Sequence, residues 1–270
     1  MAVAKSILAK LAARQPKIGV PFLEAFRVEH GPPGLLGRFF LSADGRMKDR
    51  GMRLGFISFE DLLALSERNA DNWGSPNPMF NPRLVDIPPG SMCLAGFDDR
   101  GVIKVCASAK PFDATHVPFC TLVNNGSFLA LKPEFAEGGY VTTMPASEAS
   151  NLHGVLGYCG AVWVHPDRRG DRLASIIAHL TNACVLTLWN PTYLLGSVEQ
   201  TNFGTPVQQR YGFPHLSVSI KITKASKPVT ELALLWMTAD EAYAELGRYL
   251  EVIWPEIDAA VAARNRQQSA

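Results

Sequence analysis

What this chain lacks narrows it first. It has no CxxC pair, and its five cysteines, Cys93, Cys106, Cys120, Cys159 and Cys184, are odd in number, widely spaced and set among apolar neighbours. That argues against a disulfide framework or a zinc-thiolate site and for free thiols in a reducing compartment, so a cytoplasmic location is expected. No apolar run reaches the ~20 residues that a membrane span requires. Excess charge is missing too: 26 Lys and Arg against 25 Asp and Glu leave a net charge of +1. Such a balance gives no field to hold a phosphate backbone, which argues against a dedicated nucleic-acid binder. His116, His153 and His179 show no ligand spacing, so no metal is expected.

What is present suits a full hydrophobic core. With 270 residues, 47% of them hydrophobic, one enlarged domain is expected. The first 19 residues, "MAVAKSILAKLAARQPKIG", carry Lys5, Lys10, Arg14 and Lys17 with apolar residues at helical spacing. They read either as a docking helix with a solvated basic face or, through residues 1–17, as a peripheral membrane contact or presequence. "GPPGLLG" and "SADGRMKDRG" are rich in turn residues and suggest an irregular connection, with regular structure starting near Met52. Ser58 and Asp61 form a capping-box pattern for the helix "SFEDLLALSERN". Residues 72–90 read as a long surface loop, and "SMCLAGF" and "VIKVCASA" around "DDRG" as a β-hairpin. The segment 110–153 reads as a functional insertion with two strand-like runs, "CTLV" and "SFLALK", around an Asn-Asn-Gly turn. "HLSVSIKIT" alternates as a last strand, and residues 230–265 read as helical apart from Pro255, with 239–254 as the main segment packing on its own domain. The expected divisions are therefore 1–51, a central domain at 52–225, and a helical extension at 226–270.

The densest signal is "GVLGYCGAVWVHPDRRGDRLASIIAHL". A β-rich run stops at Pro166, a charged turn follows, and Leu173, Ile176, Ile177, Leu180 and Cys184 mark an amphipathic helix over 172–187. The strand "TYLLGSVE" comes next, so strand, helix and strand imply a parallel pair with a right-handed crossover. A helix N-terminus offers unpaired N–H groups and about half a positive charge, and here Arg168, Arg169 and Arg172 stand beside it. The turn at 168–174 looks suited to a phosphate or pyrophosphate, although an Arg-rich turn is as often simply solvated.

Val164, Pro166, Arg169, Gly170, Leu173 and Ala174 in "VHPDRRGDRLA" match a V-x-P-x-x-R-G pattern, and with "QQRYGF" further on the chain resembles the GNAT superfamily of acyl-CoA N-acyltransferases. The resemblance spans residues 52–222 and is closest over 160–213. It implies an α+β fold with a central mixed β-sheet flanked by helices. It also implies acyl transfer, with acetyl most expected, from acetyl-CoA or another acyl-CoA to a small-molecule or peptide amine by direct attack on the thioester. The backbone amides of Arg169, Gly170, Asp171, Arg172, Leu173 and Ala174 would take the pyrophosphate. Val162 and Val164 would offer the strand edge to pantetheine, and Asn202 sits near a family asparagine that touches it. Removing the Arg169 side chain is expected to cost about 1–3 kcal/mol of CoA binding, the scale of a charged hydrogen bond.

The chain departs from the family's pattern in three places. Arg172 stands where a glycine is usual. No carboxylate lies on the strand before the turn, which leaves Glu199 on the next strand as the nearest general base. Gln208 occupies the position of the family's proton-donating tyrosine, and Tyr211 comes three residues later. His165 could serve as a base or as a cap, and Cys159 reads as a core thiol. These departures keep a second reading open, a degenerate domain that binds CoA esters or a protein partner without turnover. The acceptor, and whether an acyl-carrier protein replaces CoA as donor, are not readable from the residues.

Overall fold

A computed structural model describes residues 10–259 apart from 12, 26, 75–76, 134–138, 200–205, 225–226 and 257–258. Most of the basic N-terminal segment, and Asn202, lie outside the described residues. Of that segment, Leu11 is buried and Arg14 is tied down by Glu29 at 3.1 Å and by the Leu188 carbonyl at 3.3 Å.

Helix α1, Pro33–Asp49, occupies the stretch whose glycines suggest irregular chain. Pro33 sits in the first turn, where its missing N–H costs nothing. Leu36, Phe39, Phe40, Ala43 and Met47 make one buried stripe, while Gly34, Gly37 and Gly45 face open space. The glycines therefore weaken the helix without breaking its packing face.

Strand β1 (Arg53–Ile57) leads into α2 (Phe59–Arg68), which the Ser58–Asp61 capping box opens as expected. The hairpin β2 (Met92–Phe97) and β3 (Ile103–Ala114) is also present, its turn held by Asp98 Oδ1, which accepts from the Arg100 and Val102 amides. The loop at 72–90 is irregular but does not merely cover the surface, because Met79 and Phe80 are buried. In the 110–153 segment the structure corrects the expectation. Residues 110–114 continue β3, "CTLV" lies in helix α3 (Phe119–Asn124), "SFLALK" contributes a single bridge from Leu131 to Val85, and a further strand is β4 (Tyr140–Thr143). Pro118 starts α3 and its short apolar run packs inward, so tertiary burial overrides the strand-like composition.

Strand β5 (Gly154–Val164), helix α4 (Leu173–Trp189) and strand β6 (Tyr193–Glu199) form the expected crossover, with β5 and β6 parallel. Helix α4 is buried on every side rather than amphipathic: the sheet covers one face, and α1 and α6 cover the other. Helix α5 (Val207–Tyr211) ends at left-handed Gly212, and β7 (His215–Lys224) follows. Residues 227–238 are a strand, β8 (Lys227–Thr238), and not part of a helical extension; helix α6 (Ala239–Arg248) begins only after it and runs on into a wider turn, Tyr249–Ile253. β8 lies between β6 and β7 with Leu234 on one face of the sheet and Leu235 and Met237 on the other. A strand buried on both faces shows no polar alternation, which is why "ELALLWM" could be read as helix.

Among the described residues eight strands run β1-β2-β3-β5-β6-β8-β7-β4, antiparallel at every step except β5–β6. This is the mixed α/β architecture expected from the sequence. Two cores sit on opposite faces. One joins α1, α4 and α6, with Phe39 stacked on Trp254 at 4.6 Å; the other joins α2, α3 and the 72–90 loop around Phe80, Phe112, Phe128 and Tyr158.

Candidate functional site

The parallel pair β5–β6 holds together for four rungs, from Leu156↔Tyr193 to Cys159↔Gly196, and then separates. The cause lies on the other edge of β5. Cys106 pairs with Trp163 and Ser108 with Gly160, so Ala161 and Val162 together oppose the single residue Ala107. This is a β-bulge, and Ala161 takes the left-handed φ of 50° that it needs. The bulge bends β5 away from β6. Beyond Cys159, the β6-facing edge of β5 has no strand to pair with among the described residues.

A cleft of about 340 Å³ fills the gap. Its walls are Gly160, Ala161 and Val162 on one side and Ser197, Val198 and Glu199 on the other, with α4 beneath and Trp73 and Tyr211 at the rim. Such a space, flanked by unpaired strand edge, suits an extended ligand with amide groups of its own.

Directly above the cleft β5 enters the charged turn. His165 caps a single turn at Pro166–Arg168, and its Nδ1 lies 2.6 Å from Asp167, which also accepts from Lys104 at 2.7 Å. The three arginines divide their tasks. Arg168 donates to the Arg50 carbonyl at the end of α1 and pairs with Asp171 at 3.1 Å, so it fastens the turn to the domain. Arg169 donates to the Asn72 carbonyl at 3.0 Å, holding the turn that carries Trp73. One of its five N–H donors is used in this way, and the side chain remains exposed beside the turn. Arg172 is exposed and, among the described residues, has no ion pair.

Arg172 adopts φ 59° and ψ 20° at the position immediately before α4. This is the conformation that a glycine would adopt most easily, and an arginine held there costs about 1–2 kcal/mol. Gly170 is also at positive φ, 99°. Among the described residues, the amides of Gly170, Arg172, Leu173 and Ala174 have no acceptor, whereas those of Arg169 and Asp171 bond back to Pro166 and Arg168. Four free donors, the helix dipole and one unpaired guanidinium thus converge on one point.

The expected site residues separate accordingly. Val162, Glu199 and Tyr211 line the cleft. Burial raises the Tyr211 hydroxyl above its usual pKa, so it keeps its proton at neutral pH. Gln208 does not line the cleft: it is half-buried and its amide donates to the Pro214 carbonyl at 3.1 Å, on a different side of the short helix from Val207 and Tyr211. Val164 pairs with Val105 beyond the cleft lining. Cys159 lines the base, but burial pushes its thiol well up, which disfavours a thiolate. His179 is buried, its Nδ1 2.8 Å from the Ser175 carbonyl and its Nε2 3.1 Å from Glu245. Among the described residues no three His, Cys, Asp or Glu side chains gather as a metal set, and no helix is long and apolar enough to cross a membrane.

Among the lining residues that sequence reasoning missed are Trp73, Ser197, Thr181 and Asn182. The Ser197 hydroxyl meets buried Tyr158 at 2.6 Å across the last rungs, and burial pushes that phenol up to about 12. The one available signal was "TN" inside the apolar run of α4.

No family model matches this chain, and no curated protein matches it. Solved structures do. NAA60 of Arabidopsis thaliana in complex with acetyl-CoA is 12% identical over 70% of this chain and 99% of its own, with a TM-score of 0.44. The spermidine/spermine N-acetyltransferase SpeG of Vibrio cholerae is 8% identical over 72% and 98%, with a TM-score of 0.40. A putative acetyltransferase of Salmonella typhimurium with its cofactor acetyl-CoA, yncA, is 14% identical over 71% and 95%, with a TM-score of 0.36. At these values the likeness is one of general shape, and the chemistry must come from the residues themselves.

Proposed function

We propose that this chain is a GNAT-superfamily acyltransferase, taking an acyl group from a CoA thioester to an amine. The observation that carries the proposal is the opening of β5 from β6 at the Ala161 bulge, directly below a turn whose free amides and Arg172 suit a pyrophosphate. Diphosphate at the turn and an amide-bearing arm along the bulged edge describe the CoA tail.

The residues present assign the steps. The amine nitrogen attacks the thioester carbonyl carbon. The oxygen that gains charge is met by an N–H of the bulged β5 edge near Val162. Glu199, at the mouth on β6, takes the amine's proton directly or through water. The carbon–sulfur bond breaks, and the Tyr211 hydroxyl supplies the proton to the departing thiolate. The loops at 72–90 and 110–153 shape the acceptor side, and the acceptor is an amine of small-molecule or peptide origin.

Calorimetric titration with acetyl-CoA, CoA and ATP tests the reading. Micromolar binding of both CoA forms that ATP does not share is expected, followed by thiol release with an amine panel. No binding of either CoA form would overturn the assignment. Binding without release from any amine would favour the non-catalytic relative.

A further inference from the structure

The floor of the cleft carries a polar group that, among the described residues, has no hydrogen-bond partner. Asn182 is 2% exposed on α4. Its neighbours on that helix are almost all apolar, and Thr181 spends its hydroxyl on the Ile177 carbonyl at 2.8 Å. Among the described residues the Asn182 carboxamide makes no hydrogen bond, yet it lines the cleft. The carboxamide atoms touch the cleft rather than being sealed off, so their hydrogen bonds are available to whatever occupies that space.

The position of Asn182 identifies the partner. Val185 packs against Gly157, so close that a Cβ at Gly157 would come within 2.3 Å of it. Asn182 is one turn closer to the start of α4, which places it level with the last rung, Cys159↔Gly196, at the blind end where the strands part. A thioester entering from the mouth leads with its acyl group. The far end of that group is what reaches Asn182.

Resting on the acyltransferase reading above, we infer that Asn182 selects the acyl group, and that the preferred donor carries a short acyl chain with an uncharged hydrogen-bonding group such as a hydroxyl. A carboxylate-terminated chain does not fit, since among the described residues no Lys or Arg lines the cleft and the one charged lining residue is Glu199. Both the N–H and C=O of Asn182 are open, so it serves a hydroxyl as donor and acceptor alike.

The test is binding, independent of the unknown acceptor. Affinities are measured by calorimetry for CoA, butyryl-CoA, both enantiomers of 3-hydroxybutyryl-CoA and succinyl-CoA, in the parent protein and in Asn182→Leu, with Asn182→Ala as a smaller replacement should the first not fold. One hydroxybutyryl enantiomer should bind about tenfold tighter than butyryl, and the substitution should abolish or reverse that ratio while leaving CoA itself unchanged. Equal binding of butyryl and both hydroxybutyryl thioesters, or a ratio unmoved in the variants, would overturn the inference while CoA binding left the acyltransferase reading standing. Succinyl-CoA as the tightest ligand would overturn the uncharged assignment. Absence of CoA binding would remove both.

Discussion

Replacing Lys110 by methionine should stabilise the protein at neutral pH and leave it unchanged in strong base. Lys110 is fully buried in the middle of β3, and its ammonium nitrogen has no hydrogen-bond partner. Burial lowers its pKa from 10.5 to about 7. Between those values the unfolded chain holds a proton that the folded chain does not, so stability rises with pH across the window. At about 1.36 kcal/mol per pH unit, a gap of roughly 3.5 units amounts to about 5 kcal/mol as an upper bound. The rings of Phe112 and Phe80, 5.1 and 5.9 Å from the nitrogen, return about 1 kcal/mol of this through cation–π attraction. Methionine keeps the straight stem that packs there and removes only the amine. Urea unfolding of both proteins from pH 6.5 to 10.5 measures the difference, in which other titrating groups cancel. Lys110→Met should be more stable by about 3–5 kcal/mol at pH 6.5, and its advantage should decline towards zero near pH 10.5. A difference that does not change with pH, or a variant less stable throughout, would refute the view of Lys110 as an unpaired buried amine.

Three further outcomes follow from the site. Arg172→Gly should raise stability by up to about 1 kcal/mol by relieving the left-handed arginine while weakening acetyl-CoA binding several-fold, and the two effects are separated by thermal melting and calorimetry. Tyr211→Phe should slow thiol release by about 100-fold or more with CoA affinity unchanged; an unaltered rate would remove Tyr211 as the proton donor. Gly212→Ala should destabilise by at least about 1–2 kcal/mol in chemical denaturation, because Gly212 sits at φ 75° and an added Cβ would lie 2.6 Å from the His179 ring.

The parts of this fold that the sequence makes legible are those where one local rule acts alone. The Ser58–Asp61 cap, the Asp98 turn and the succession of strand, charged turn and helix at 154–189 each follow from short-range chemistry. Helix α1 is obscured because its glycines are breakers only where packing is needed, and they lie on the outside. β8 is obscured because a strand with apolar faces on both sides loses the period-two pattern. In the site, Val162, Glu199 and Tyr211 sit on elements that the motif itself aligns. Gln208 turns away, since a helix of five residues can present only part of its surface to the cleft. Trp73 arrives from a short helical turn far away in sequence, held by Arg169, and no spacing rule links the two.

The seven-residue ladder between β6 and β8, Tyr193↔Thr238 to Glu199↔Leu232, has a consequence for how the cleft comes into being. β5 grips β6 over only four residues, so the wall that carries Ser197 and Glu199 is secured from behind, by a strand made after both walls. During synthesis, β6 is a bare edge until β8 emerges and slides in beside it. From then on the gap requires no ligand to hold it open. A thioester would meet a slot already shaped, and little of its binding energy would go into parting the strands.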